Sequence, residues 1–444
     1  MANDGDNALV LRARRRIAIR LLPFVFLMYV ICYVDRANVS FANLRMSVEL
    51  GFSDRVYGLG VGMFFIGYVL FEIPGALIVE RWSARKWLAR IMITWGIATV
   101  FNGFVRTPGQ FYAARFFVGV AEASFFPGII VYLTHWFRQA DRAKAIAFFY
   151  AAVPASSVVG STIASWLLGV HWRALSGWRW IFVVEGIGPI ILGFVTIFFL
   201  TDRPEQAGWL PEDERHWIVS QLKSETLAKK RARDYSIARA FGDRHVVLLV
   251  VAYFIGLTGM LANTYWLPTF IKRLSGLPNS RVALLTALPG LLGIAAMLFN
   301  GWHSDRGHER RWHTAVPLFC GGGAYLLLSA GTHNFSLILL LFVVGGGLTF
   351  AYLPAFWAIP TTILTESAAA ACFGLINSIG QTGGILGPYL VGLLNQKTGG
   401  VFAALGFIGV CYVISGSIIS AVRMADPTVT SSALLKGTEP VASS

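Results

Sequence analysis

The chain has 444 residues, of which 55% are hydrophobic and only 14% are charged. Soluble proteins carry roughly 25% charged residues, so this composition, with a mean hydropathy of +0.61, excludes an ordinary soluble enzyme and predicts an integral membrane protein. The formal net charge of +14 requires no nucleic-acid partner, because Lys and Arg gathered on one side of a bilayer produce the same excess.

The first predicted element is a long apolar helix that follows a basic N-terminal segment. Five arginines within residues 12–20 lead into it and no small-residue cleavage site follows, so a cleavable signal peptide is not expected. Asp35 and Arg36 interrupt this helix where hydrocarbon would surround it. A charge at the bilayer centre costs roughly 2.5–3.5 kcal/mol, so such a pair is typical of a water-filled path or a binding site.

Apolar stretches of about 20 residues, the length that spans a bilayer, recur along the rest of the chain. We predict twelve transmembrane helices, at 17–44, 55–81, 86–106, 108–134, 142–169, 178–200, 244–271, 281–303, 313–331, 335–363, 370–395 and 399–423. A polar segment, 201–243, divides them into six and six. The prediction is an all-α membrane protein with six-helix bundles at 17–200 and 244–423, a central loop at 201–243, and tails at 1–16 and 424–444.

The distribution of Lys and Arg predicts the orientation. With the N-terminus inside, the cytoplasmic segments hold 26 of the 37 Lys and Arg residues and the outer loops hold 9. The positive-inside rule therefore predicts cytoplasmic termini and a cytoplasmic central loop, and we expect the plasma (cell inner) membrane. Four cysteines in apolar stretches are expected to be reduced core residues: Cys32, Cys320, Cys372 and Cys411.

The two halves repeat similar features at a nearly constant offset. Glu80–Arg81 precede Asp305–Arg306 by 225 residues, and Pro127 precedes Pro354 by 227. Gly160 and Gly387 are also 227 apart. These coincidences indicate a duplication, which in transporters places a substrate site between the halves near the bilayer midplane.

Several motifs carry a family resemblance over about residues 15–425: YVDRANVSFA (33–42), GYVLFEIPGALIVERWSARKWL (67–88), ARFFVGVAEASFFPG (114–128), WRWIFVVEG (178–186), YWLPTF (265–270), GWHSDR (301–306) and GLINSIGQTGGILGP (374–388). They resemble the major facilitator superfamily, and within it the anion:cation symporter family of organic-acid permeases. Glu80 stands where the superfamily usually has Asp, and Ser83 where it usually has Gly. The negative charge and the following arginine remain, so the resemblance still implies a gating role for this loop.

The charged residues inside the spans all fall in the first half of the chain. Arg115 and Glu122 are seven residues apart, on nearly the same helix face and about 10 Å from each other. The resemblance implies carboxylate binding at Arg36 and protonation at the matching acids. We therefore predict that Arg36, with Arg115, binds a substrate carboxylate, and that Asp35 and Glu122 exchange the coupling protons. The alternative is that these residues form structural ion pairs between helices 1 and 4.

Two further acids and the loop charges have other predicted roles. Glu72 is expected to act in a gate or a helix contact rather than in coupling, and Glu185 belongs to a motif that reads as a packing signature. The loop charges are predicted to form a cytoplasmic gate that breaks and re-forms during alternating access; they are Glu80, Arg81, Asp305 and Arg306.

Neutral residues in the spans are expected to shape selectivity. The resemblance implies that seven of them face the cavity: Tyr33, Tyr68, Asn263, Trp266, Trp357, Asn377 and Gln381. Each could instead be a packing residue or part of an interfacial aromatic belt. Asn377 and Gln381 lie four residues apart on one helix face, which makes them the candidates in the second half for binding a hydroxyl group.

The leading hypothesis is a proton-coupled symporter that takes up a small organic carboxylate, and not an enzyme. Sugar acids, hydroxy acids and aromatic acids all remain open. No P-loop motif indicates ATP use, the histidines lack metal-ligand spacing, and no cofactor is expected. The expected partners are the organic anion, protons and the lipid bilayer, with the protein acting as a monomer. The alternative is an exchanger or efflux transporter of the same fold, although 151–166 lacks the Gly-Pro signature of drug-efflux relatives.

Overall fold

The computed structural model describes residues 4–172, 175–231, 244–307, 309–363 and 366–422. The described residues form helices joined by short turns, with no strand among them beyond an isolated bridge between Trp172 and Leu175. The side chains of Glu80 and Arg81 lie outside the described part, so the gate role predicted for them stays a prediction.

The first half of the chain contains eight α-helices and leads into a ninth in the central segment. They are α1 (Asp4–Leu50), α2 (Asp54–Arg81), α3 (Ala84–Asn102), α4 (Pro108–Glu122), α5 (Phe125–Thr134), α6 (Gln139–Tyr150), α7 (Ala152–Leu167), α8 (Gly177–Phe199) and α9 (Glu212–Arg231). The helix α1 begins at Asp4, ahead of the predicted transmembrane segment 17–44. The basic stretch before it continues the helix, and Arg14 and Arg16 form ion pairs with Asp141 and Glu214.

The second half contains eight more helices. They are α10 (Arg244–Ser275), α11 (Asn279–Leu285), α12 (Ala287–Gly307), α13 (Arg311–Ser329), α14 (Phe335–Ile363), α15 (Glu366–Gln381), α16 (Gly383–Thr398) and α17 (Phe402–Ala421). Among the described residues, 9 segments are long and apolar enough to span a membrane. The helices α3 and α13 and the pair α15–α16 complete the twelve predicted spans.

Four of the twelve predicted helices are interrupted. The breaks separate α4 from α5, α6 from α7, α11 from α12, and α15 from α16. At the first break Ser124 adopts a left-handed backbone with φ 68°, which costs a residue with a side chain about 1–2 kcal/mol. The hydroxyl of Ser124 accepts a hydrogen bond from Trp87 Nε1 at 3.1 Å, and this contact helps to hold the break in place.

The two halves pack closely at one end of the molecule. We call the end that holds turns 51–53 and 276–278 the distal end, and the end that holds turns 82–83 and 135–138 the proximal end. At the distal end α2 meets α16 with little room for side chains. A Cβ on Gly58 would lie 2.4 Å from the carbonyl oxygen of Pro388, and one on Gly392 would lie 2.4 Å from that of Asp54. Glycine at these positions therefore lets the two backbones touch.

Candidate functional site

An internal cavity of about 110 Å³ lies between the two halves, lined by residues from both. Three of the four helix breaks border it, because Tyr150, Thr286 and Gln381 each lie at a break and on the cavity wall. Interrupted helices in membranes are tolerated where they are buried or line a cavity, and in transporters they mark the binding site. Since ligand pockets usually measure about 300–1,000 Å³, this cavity must widen to admit a solute.

Arg36 lies on the wall of this cavity and pairs with Glu122. Its Nε donates a hydrogen bond to Glu122 Oε1, which also accepts one from Cys32 Sγ at 3.1 Å. Glu122 is the last residue of α4, two residues before the break at Ser124, and it is fully buried. The guanidinium also lies 5.1 Å from the centroid of the Tyr33 ring. The ion pair therefore joins α1 to the broken end of α4.

Asp35, the neighbour of Arg36, points away from the cavity. Its Oδ2 accepts a hydrogen bond from Thr99 Oγ1 at 2.8 Å, and its Oδ1 accepts one from Asn38 Nδ2 at 3.0 Å. The side chain is buried and does not line the described cavity. The two adjacent charged residues thus contact different helices. Asp35 forms a hydrogen bond with α3, and Arg36 forms an ion pair with α4.

Arg115 is buried away from the cavity wall. It is 1% exposed, and its guanidinium lies 5.0 Å from the centroid of the Phe64 ring. Its Nε and Nη2 atoms are buried without a hydrogen-bond acceptor among the described residues. In this conformation Arg115 does not line the cavity beside Arg36. The contact of Arg115 with a substrate therefore stays a prediction, and it would require a conformation in which Arg115 reaches the cavity.

The neutral residues predicted to face the cavity divide into two groups. Five line it: Tyr33, Tyr68, Asn263, Asn377 and Gln381. The other two are packing residues in this conformation and lie off the described cavity wall. Trp266 donates its Nε1 hydrogen to the carbonyl oxygen of Pro388 at 3.0 Å, and Trp357 packs on Tyr253 with 5.1 Å between ring centroids.

Sequence reasoning missed much of the aromatic wall. The additional aromatic residues on it include Tyr29, Phe65, Tyr150, Tyr253 and Tyr265. Tyr29 stands four residues before Tyr33, on the same face of α1, and the two ring centroids are 4.8 Å apart. That spacing was visible in the sequence, whereas the position of Tyr150 depends on a helix break that hydropathy does not reveal.

Glu72 forms a polar contact between the halves. Asn377 Nδ2 donates to Glu72 Oε1 at 3.1 Å. Glu72 lies 18 residues after Asp54 in α2, or about 27 Å along the helix axis, so this contact is well removed from the distal end. Glu185 is buried in α8 and does not line the described cavity.

The loop charges differ at the two ends of the molecule. At the proximal end Asp305, in the last turn of α12, pairs with Arg310 of the same half at 2.6 Å, and Arg306 lies 5.7 Å from the Trp302 ring centroid. At the distal end Arg273 forms two hydrogen bonds of 2.6 Å with the carboxylate of Asp54. This second pair, which sequence reasoning missed, joins α2 to α10 at the distal end and so connects the two halves.

Comparison with known proteins agrees with this architecture. The Major Facilitator Superfamily model matches residues 25–388. The "Putative tartrate transporter" of Agrobacterium vitis is 41% identical over 414 residues, covering 93% of this chain and 95% of that protein. The "Quinolone resistance transporter" of Acinetobacter baumannii is 34% identical, covering 89% and 91%.

A solved structure shows the same fold. A bacterial homolog to the human lysosomal transporter Spinster, in an inward-facing and unoccupied conformation, superposes with a TM-score of 0.75 at 19% identity, covering 97% of this chain and 99% of that one. The family model and this structure confirm the expected fold, twelve helices in two related halves. The family model and the named relatives confirm the expectation of a transporter rather than an enzyme. The chain belongs to the major facilitator superfamily of membrane transporters.

Proposed function

We propose that the protein is a proton-coupled symporter that takes up a small organic carboxylate. The observation that carries the proposal is the position of Arg36, a guanidinium on the wall of an inter-half cavity, paired through Nε to a buried carboxylate. The terminal nitrogens of a guanidinium form a planar fork that matches a carboxylate. The Arg36 side chain is only 9% exposed, so its guanidinium would bind a substrate carboxylate with little competition from water.

Glu122 is proposed as the proton site that controls Arg36. While it is ionised, Glu122 competes with the substrate for the same guanidinium. Protonation of Glu122 removes that competition and leaves the buried charge of Arg36 unpaired. Because an unpaired buried charge is unfavourable, binding of the substrate carboxylate becomes more favourable. Substrate and proton then stabilise the same loaded state, which is the thermodynamic basis of symport. Cys32, which also donates to Glu122, helps to keep the carboxylate in place.

Asp35 is proposed as a second proton site. It is buried between Thr99 and Asn38 and lies beside Arg36 in sequence. An anion that enters against the membrane potential is opposed by roughly 2.3 kcal/mol per charge per 100 mV. One proton cancels that penalty for a singly charged acid, and a second proton makes uptake electrically favourable.

The distal closure supports alternating access about this site. We infer that this conformation is closed at the distal end. We also infer that the protein lies in the cell inner membrane with both termini in the cytoplasm, so that the distal end faces outward. The surplus of Lys and Arg at the proximal end supports this orientation. Opening the distal end would require the Asp54–Arg273 ion pair to separate. We propose that a single protein chain, acting as a monomer, carries out the whole transport cycle.

The cavity wall favours substrates with one carboxylate. Arg36 is the one cation among the described residues that line the cavity, and most of the wall is aromatic or aliphatic. A second carboxylate would lie in a largely apolar space without a counter-charge, which is unfavourable. Hydroxyl groups, in contrast, have partners in Asn377 and Gln381. A hydroxylated or aromatic monocarboxylate therefore fits better than a dicarboxylate.

The test is a thermal-shift screen of the purified protein against matched organic acids, such as glycerate beside tartrate and benzoate beside phthalate. The result expected is stabilisation by monocarboxylates that is lost in Arg36→Ala and kept in Arg106→Ala, which removes an exposed arginine. A stabilising acid that acts equally on Arg36→Ala would overturn the proposed clamp.

A second candidate function is efflux of an aromatic carboxylate. It is favoured by the aromatic wall and by the similarity to a protein named as a quinolone resistance transporter. The direction of proton exchange separates the two functions. A symporter acidifies the lumen of proteoliposomes as substrate enters, whereas an efflux antiporter makes it alkaline.

A further inference from the structure

A surface groove lies at the proximal end, apart from the internal cavity. It has a volume of about 820 Å³ and is formed by the first part of α1 together with Phe199 and Trp209. It takes no part in the proposed transport site. The four arginines on its wall are Arg12, Arg15, Arg16 and Arg20.

The groove carries more positive charge than the described residues around it neutralise. Arg12 and Arg16 have carboxylate partners, in Asp213 at 3.7 Å and Glu214 at 3.1 Å. Arg15 and Arg20 form no ion pair with a described residue. Arg20 Nε is buried without a hydrogen-bond acceptor among the residues described, and the guanidinium lies 4.8 Å from the ring centroids of both Phe199 and Trp209. Within the described part of the chain, the groove thus holds two guanidiniums without a carboxylate partner.

The groove changes from basic to apolar along α1. Beyond Arg20 its wall consists of Pro23, Phe24 and Leu27, and Leu27 is 45% exposed. Arg16 and Leu27 are 11 residues apart, or about 16 Å along the helix. A ligand that matches this wall has an anionic head beside the arginines and a hydrocarbon chain beside Phe24 and Leu27. An inorganic anion would leave the apolar half uncovered.

We propose that this groove binds an anionic phospholipid of the leaflet at the proximal end. The phosphate accepts hydrogen bonds from Arg15 and Arg20, and one acyl chain lies along Phe24 and Leu27. Basic pockets beside membrane helices are a common way to bind acidic headgroups. The bound lipid would link α1 to α8 and to the segment around Trp209, and so support the helix that carries Asp35 and Arg36.

The test is native mass spectrometry of the full chain in detergent, titrated with cardiolipin, phosphatidylglycerol or phosphatidylcholine. We expect adducts with the two anionic lipids at concentrations at least about tenfold below those needed for phosphatidylcholine. The double variant Arg15→Ala/Arg20→Ala should lose this preference. The matched control Arg45→Ala/Arg106→Ala, which removes two exposed arginines from the distal end, should keep it.

A parallel thermal-shift titration separates a lipid from a free anion. Phosphatidylglycerol should raise the unfolding temperature of the wild-type protein, and inorganic phosphate at the same concentration should not. Equal stabilisation by phosphate, or equal retention of phosphatidylcholine, would overturn the proposal. If the double variant fails to fold, the same lipid titration is made with Arg15→Lys/Arg20→Ala. A preference for anionic lipids equal to that of the wild type in this variant would also overturn the proposal.

Discussion

Arg36 keeps its charge in an apolar region because one carboxylate and several rings surround it. Besides Glu122, the guanidinium lies 4.8 Å from the Tyr68 ring centroid and 5.6 Å from that of Phe64. Cation–π contacts of this kind contribute about 2 kcal/mol when desolvated. The side chain is therefore held in position, which would lower the entropy lost on binding the proposed substrate carboxylate.

Replacing Arg36 with Lys should weaken substrate binding while the protein still folds. Lys retains the positive charge for Glu122 but loses the planar fork, and one charge-assisted hydrogen bond is worth about 1.5–3 kcal/mol. We expect the dissociation constant of the best acid to rise roughly tenfold to a hundredfold, measured by isothermal titration calorimetry. An unchanged constant in Arg36→Lys would mean that the substrate does not use the guanidinium fork.

The sequence predicted part of this arrangement at the residue scale. An ion pair between predicted helices 1 and 4 was the alternative interpretation of these charges, and Arg36 does pair with Glu122. The position of Arg115 was not predictable in the same way. A helical wheel places it on the face of Glu122, but the chain changes direction at Ser124, between α4 and α5, and that backbone break has no hydropathy signal.

At the scale of elements, broken helices decide where the site lies. Hydropathy predicted the twelve spans because each of them buries apolar side chains in lipid or protein, whichever way its backbone bends. The breaks depend on local tertiary contacts such as the Trp87–Ser124 hydrogen bond, which join residues far apart in sequence. The transmembrane spans could therefore be predicted from the sequence. The positions of the breaks, and of the polar groups that lie at them, could not.

The start of α13 provides a test of one such local contact. Glu309 accepts hydrogen bonds from the backbone N–H groups of Trp312 at 2.7 Å and His313 at 3.2 Å. Partial burial favours its neutral form, but the hydrogen bonds from Trp312 and His313 outweigh it and lower the pKa of the Glu309 carboxyl. The ionised carboxylate therefore stabilises the fold at neutral pH, and this contribution is lost as the pH falls through the lowered pKa.

Glu309→Gln should reduce stability at pH 7 by about 1 kcal/mol, as expected for loss of a helix cap. The difference from wild type should shrink as the pH is lowered below the ordinary value for glutamate, about 4.3, because the wild-type carboxylate is then protonated too. Thermal unfolding at a series of pH values checks this, with the exposed Glu205→Gln as the control. A difference that persists unchanged in acid would exclude the carboxylate as its cause.

At the scale of the whole molecule, the distal end is closed by backbone contact as well as by charge. The Asp54–Arg273 pair is partly exposed, and exposed pairs contribute only about 0–1 kcal/mol. The close approach of α2 to α16 at Gly58 and Gly392 brings backbone against backbone and tolerates no side chain. We therefore expect that the glycines, more than the ion pair, make the closed state favourable.

Gly58→Ala should shift the protein toward a state with its distal end open. The new Cβ would lie 2.4 Å from a backbone oxygen, so the halves must move apart there. Spin labels on Arg106→Cys and His333→Cys, with the exposed Cys320 replaced by Ser, should report a larger population of long distances. The control is Gly188→Ala, where a Cβ meets nothing within 4 Å, and a wild-type distance distribution in Gly58→Ala would contradict this account of closure.

The most direct test of the central claim is to measure substrate accumulation and counterflow for Glu122→Gln in the same proteoliposomes. Gln cannot exchange a proton, so the variant should exchange labelled for unlabelled substrate at a rate comparable to that of the wild type. It should fail to concentrate substrate when a proton gradient is imposed. If Glu122→Gln accumulates substrate uphill as the wild type does, the coupling proton does not pass through the carboxylate that pairs with Arg36.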